Sequence, residues 1–148
     1  MTRVLAVAES TKPRVLRRAA PLLCGCALAA GAVLVAANDP AASGSRFPGC
    51  IFHQTTGLWC PGCGLTRGLH QLLNGAPWSA ITYNLFTPVV VLAIVWAWLS
   101  WLRTSWGRSA LALPASLQRT ILAALPVMLV LYGVLRNIPG EPFRALAP

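Results

Sequence analysis

Polar punctuation divides the chain into three apolar stretches that carry no charge. The first, Ala19 to Ala37, is 19 residues long. As a helix it would span about 28 Å, close to the thickness of a bilayer's hydrocarbon core. It is the poorest of the three in large aliphatic side chains, with eight Ala and only six Leu or Val. The second, Leu85 to Leu102, holds ten Leu, Ile, Val or Phe in 18 residues. Those side chains favour membrane insertion by about 3–6 kcal/mol in all. The third, Thr120 to Leu135, has 16 residues between Arg119 and Arg136. It would span only about 24 Å, so the flanking arginines are expected to snorkel outward and extend it.

The polar intervals carry their own pattern. Pro40, Gly44, Pro48 and Gly49 mark Asn38 to Gly49 as loop. Leu65, Leu69, Leu72 and Leu73 then recur at helical spacing, with Arg67, His70, Gln71 and Asn74 on the opposite face. This predicts a short amphipathic helix over Leu65–Leu73, ended by Asn74-Gly75 and lying at the membrane interface. Trp96, Trp98, Trp101 and Trp106 gather toward the far end of the second run, as in an interfacial aromatic belt. Asn84 is expected to cap that span. The fold expected is an all-α membrane protein with three transmembrane helices and this interfacial helix in the first loop. A basic tail, 1–18, precedes a single membrane domain, 19–148, with spans near 19–37, 85–102 and 120–135 and a cysteine-box loop over 50–75.

Composition agrees with that class. Of the 148 residues, 56% are hydrophobic and only 10% charged. A soluble domain carries about 25% charged residues. Twelve Lys and Arg against three acids give a net charge of +9. The bases are scattered between apolar runs and form no stripe, so no nucleic-acid partner is expected. Their asymmetry instead predicts topology. With the N-terminus cytoplasmic, Arg3, Lys12, Arg14, Arg17, Arg18, Arg103, Arg108 and Arg119 lie inside, and Arg46, Arg67, Arg136 and Arg144 lie outside. Eight against four favours a multi-pass protein of the cell membrane with the cysteine loop outward. A rival reading takes the first run as a signal peptide cleaved near Val35-Ala36-Ala37. No paired carboxylates, nucleophile triad or phosphate loop is present. A non-enzymatic protein is therefore expected.

The loop concentrates the candidate chemistry: Cys50, His53, Cys60, Pro61, Gly62, Cys63, Gly64, Thr66 and Arg67. Three readings of it stay open. Cys50, His53, Cys60 and Cys63 have the C-x2-H-x6-C-x2-C spacing of a Cys3His zinc set. Cys50, Cys60 and Cys63 could equally be redox-active or disulfide-forming thiols, since a helix start and a nearby arginine favour thiolate. The plainest reading has the cysteines stapling or packing the loop. Thr66, Arg67 and His70 are candidates to face an anionic headgroup or ligand.

The segment Cys60-Pro61-Gly62-Cys63-Gly64-Leu65-Thr66-Arg67 resembles a family of small bacterial membrane proteins of unknown function marked by a C-P-x-C-G-x-T-R box. Cys50, Thr56-Gly57-Leu58, Leu72-Leu73-Asn74-Gly75 and Tyr83-Asn84 extend the likeness. The resemblance implies two or three spans with the box in a loop between them. It implies no activity, and it does not include His53. The expected function is a membrane protein whose outward box organises a loop or binds a ligand or partner in the bilayer. The alternatives are thiol redox, zinc binding, and a role as a small subunit of a larger membrane complex.

Overall fold

A computed structural model describes residues 14–45 and 47–147. Among these the chain is helical, with no strand. The elements are α1 (Arg14–Ala37), α2 (Ile51–Thr56), α3 (Leu65–Leu73), α4 (Pro77–Tyr83), α5 (Thr87–Ser105), α6 (Ala115–Leu135) and a 3-10 turn at Phe143–Leu146. Three of them, α1, α5 and α6, are long and apolar enough to cross a membrane. Only 6% of each apolar window is buried within the protein. Leu23, Leu92, Leu122 and Val130 are each about two-thirds exposed, at 68%, 69%, 67% and 65%. Apolar faces this open are stable in lipid and not in water.

Two helices are longer than the apolar runs suggest. Arg14–Arg18 belong to α1, although they lie in the segment expected to be tail; the rest of that tail, 1–13, falls outside the described residues. No glycine or proline separates Arg14 from Ala19, and Leu and Arg are good helix formers. Pro114 is the N-cap of α6, so this helix begins five residues before the apolar run. Its 21 residues reach about 31 Å, although the added turn is polar and contains Arg119. Pro21 and Pro126 both lie inside continuous helices.

The spans differ in how they are held. A Cβ on Gly25 of α1 would come within 2.7 Å of the Trp98 ring, so this glycine gives the indole room to lie against the helix. The Trp98 Nε1–H donates to the Pro21 carbonyl at 2.9 Å. Trp98 therefore turns inward and does not join the expected belt. Its N–H, which lipid could not satisfy, finds its acceptor on α1. Gly31, six residues further along α1, has open space beside it.

Helix α3 packs against α1, α4 and α5. His70 Nδ1–H donates to the Val35 carbonyl at 2.8 Å, and the Asn74 amide donates to Ala36 at 3.2 Å. Both acceptors are carbonyls that the end of α1 leaves without helical partners. Helix α6 is tied in through the loop that follows α2, where Gly133 lies under Pro61. Between the spans, Pro21 is fully buried where Trp98 crosses α1, but most of the buried residues lie elsewhere. They lie around that loop, at Cys63, Ala80, Asn84, Phe86, Thr87, Tyr132 and Arg136.

Candidate functional site

The box is a tight turn whose carbonyls face the protein interior. Asn137 grips Trp59 through two hydrogen bonds. Its Oδ1 accepts the Trp59 N–H and its Nδ2 donates to the Trp59 carbonyl, each at 2.8 Å. One Arg136 terminal nitrogen donates to the carbonyls of Cys60 at 3.0 Å and Cys63 at 2.8 Å. The Asn84 amide donates to Pro61 at 2.8 Å and to Cys63 at 3.0 Å. The carbonyls of Trp59, Cys60, Pro61 and Cys63 are thus all held by side chains from the start of α5 and the end of α6. Buried carbonyls require such partners.

Asn84 and Arg136 are 0% and 2% exposed. Arg136 also donates through Nε to the Leu146 carbonyl at 2.8 Å, and its guanidinium carbon lies 5.0 Å from the centre of the Tyr132 ring. This corrects the expectation that Arg136 snorkels into the interface. Its five fixed donors match the carbonyl cluster that the turn presents. The expected cap is also revised. Phe86 is the N-cap of α5, while the Asn84 Oδ1 accepts the Phe86 N–H at 2.8 Å in an Asx turn.

With its carbonyls tied inward, the turn gathers its sulfurs. The Cys60 Sγ lies 3.4 Å from the Cys50 Sγ and 3.0 Å from the Cys63 Sγ. All three sulfurs lie within 4.8 Å of one another, and all are free thiols. Cys50 precedes α2, Cys60 and Cys63 flank the turn, and Gly64 follows with φ +85° as the N-cap of α3. That left-handed conformation suits glycine.

The thiols differ chemically. Cys50 is lowered to about 7, first by the backbone N–H of His53 and then by the Cys63 and Cys60 thiols. Cys63 is pushed up to about 12, first by burial and then by the Cys60 and Cys50 thiols. Cys50 is therefore the more acidic thiol of the two, and Cys63 stays protonated around neutral pH.

His53 stands beside this group and is not part of it. Its Nδ1–H donates to the Leu58 carbonyl at 3.2 Å, and its ring stacks on Trp59 with centroids 3.8 Å apart. A cavity of about 480 Å³ adjoins the sulfurs, and Cys50, His53, Trp59, Cys63, Thr66 and Arg67 help line it. Thr66 is exposed and Arg67 half-buried. His70 is committed to α1 and does not line this cavity.

Asn84, Arg136 and Asn137 were not singled out from sequence as holding the box. The signal available was a polar Arg-Asn pair closing an apolar run. Nothing in the spacing linked that pair to a turn 76 residues earlier.

Fold and site together define a multi-pass α-helical membrane protein that carries a three-thiol cluster beside a cavity. Residues 50–98 match the model of a family described as a protein of unknown function (DUF2752). The match bears out the resemblance to an uncharacterised family and takes in all three cysteines of the cluster, about a third of the chain. Arg136 and Asn137 lie beyond it. No curated protein and no solved structure matches the chain.

Proposed function

We propose that this membrane protein binds a soft metal ion, zinc foremost, on the thiolates of Cys50, Cys60 and Cys63. The observation that carries this reading is the grouping of three sulfurs within 4.8 Å on a turn held by buried side chains. Thiolate donors select zinc or copper(I). Tetrahedral Zn–S bonds of about 2.3 Å put sulfurs roughly 3.8 Å apart, which small side-chain movements would reach. Three protein donors leave a fourth position for water, a ligand or His53. An open position suits a site that handles or exchanges its metal better than one that only staples a loop. Loading would release protons, the one on Cys63 above all.

Metal analysis of the detergent-purified chain tests this. Expected is close to one zinc per chain, lost when Cys60 or Cys63 is changed to Ser. A ratio near zero after incubation with zinc under reducing conditions overturns it.

A second reading, thiol–disulfide exchange, is favoured by one observation: the acidic Cys50 thiol beside the Cys60 sulfur. Oxidising that pair would form one S–S bond and pass two electrons and two protons to an external disulfide. Comparing alkylation with and without reductant, on protein from native membranes, separates the readings. For either, the site is proposed to face outward, with the N-terminus cytoplasmic.

A further inference from the structure

The box contains two polar residues that the sulfur cluster does not use. Thr66 and Arg67 lie in the first turn of α3 and line the same cavity as Cys50 and Cys63. The other polar side chains lining it are His53 and Gln54, and no Asp or Glu is among the lining residues. The two arginines of this region contrast sharply. Arg136 is occupied by backbone carbonyls. Among the described residues, none accepts a hydrogen bond from Arg67.

A half-buried guanidinium with no acidic partner is costly to hold in a cavity wall, and its planar fork suits an oxyanion. Thr66 adds a hydroxyl donor. The opening amides of α3 add the positive end of a nine-residue helix. The stacked His53 and Trp59 rings form a flat aromatic wall for the rest of a ligand. About 480 Å³ suits a small molecule or a headgroup.

We propose that this cavity binds a phosphate group, seated on Arg67 and Thr66 beside Cys50 and Cys63. The phosphate belongs either to a small soluble compound or to a phospholipid headgroup. The site does not depend on the metal, because Arg67 and Thr66 are not among the metal-binding donors.

The test uses the full chain in maltoside detergent, which carries no phosphate. In one arm, inorganic phosphate is titrated calorimetrically. In the other, phosphatidylglycerol is added and retained lipid is counted by native mass spectrometry. Both arms are run with wild type, Arg67→Gln and Arg67→Lys. Binding is expected in at least one arm, weakened about tenfold or more in R67Q and less in R67K. Phosphate binding marks a soluble ligand, and lipid retention alone marks a headgroup. The proposal is overturned if neither probe binds, or if R67Q binds as wild type does. Zinc content and thiol accessibility are measured on the same samples. Both are expected to be unchanged in R67Q, so a failed metal site and a failed phosphate site give different results. If R67Q does not fold, R67K and Thr66→Val serve instead, and wild-type affinity in both overturns the proposal.

Discussion

Arg136 carries a positive charge into the most buried part of the protein without an acidic neighbour among the described residues. Its charge is shared over the carbonyls of Cys60, Cys63 and Leu146 and the face of Tyr132. Replacing it with Met would leave those buried acceptors short of donors. Each such loss costs about 1–3 kcal/mol. R136M is therefore expected to lower stability by roughly 3 kcal/mol or more and to scatter the sulfurs. Thermal unfolding and zinc stoichiometry read the two effects; wild-type values for both would refute this role. Asn84→Ala should act in the same direction but less strongly, since the Cys63 carbonyl keeps its bond to Arg136.

The thiols offer a second check at this scale. Cys50, lowered to about 7, is ionised above that pH and protonated below it. Cys63, raised to about 12, stays protonated across the physiological range. In reduced, metal-free protein, alkylation of Cys50 should rise through a midpoint near pH 7, while Cys63 stays slow until strongly alkaline pH. Peptide mapping of the alkylated protein distinguishes them. Equal rates for the two residues at pH 7 would contradict the asymmetry.

Among the elements, α3 is the keystone. It joins the end of α1 through His70 and Asn74 and meets α4 and α5 at Gly68. A Cβ on Gly68 would run into the Thr87 Oγ1 and stand 2.9 Å from the Ala80 carbonyl oxygen. Overpacking of this kind costs about 1–3 kcal/mol. Gly68→Ala should therefore lower the thermal midpoint. Adding Thr87→Ala should recover part of the loss, because it removes the nearest obstacle and a buried hydroxyl that has no partner. If the double variant is no more stable than G68A, the crossing is not governed by this contact. Helix α6 behaves differently, because it is held at its C-terminal end, by the turn that Arg136 and Asn137 grip and by Tyr132 against Leu85 and Phe86.

At the scale of the whole molecule, lipid covers the helices and the protein's own packing covers the loop. The described part has a polar heart around the loop, where Asn84, Thr87 and Arg136 are all buried. The apolar faces of α1, α5 and α6 are left to the bilayer. The chain should stay with the membrane fraction through alkaline carbonate extraction. With the proposed orientation, a membrane-impermeant maleimide added to intact cells should label Cys50 in metal-stripped protein, and a C-terminal tag should be open to external protease. Labelling that requires lysis would reverse the orientation.

Much of this architecture is written locally. Three charge-free apolar runs dictate helices in lipid, because each backbone group must find its partner within its own segment. The Leu65–Leu73 periodicity and the Asn74-Gly75 stop define α3 for equally local reasons. The box, by its density of cysteine and glycine, marks the site. Tertiary structure alone decided that the three sulfurs meet while His53 stays apart, and that Trp98 and Arg136 turn inward. Those outcomes depend on donors and acceptors up to 78 residues apart, which no periodicity encodes. A buried carbonyl must be answered by whichever donor the fold brings near. Here the fold brought an asparagine from the start of α5 and an arginine and an asparagine from the end of α6.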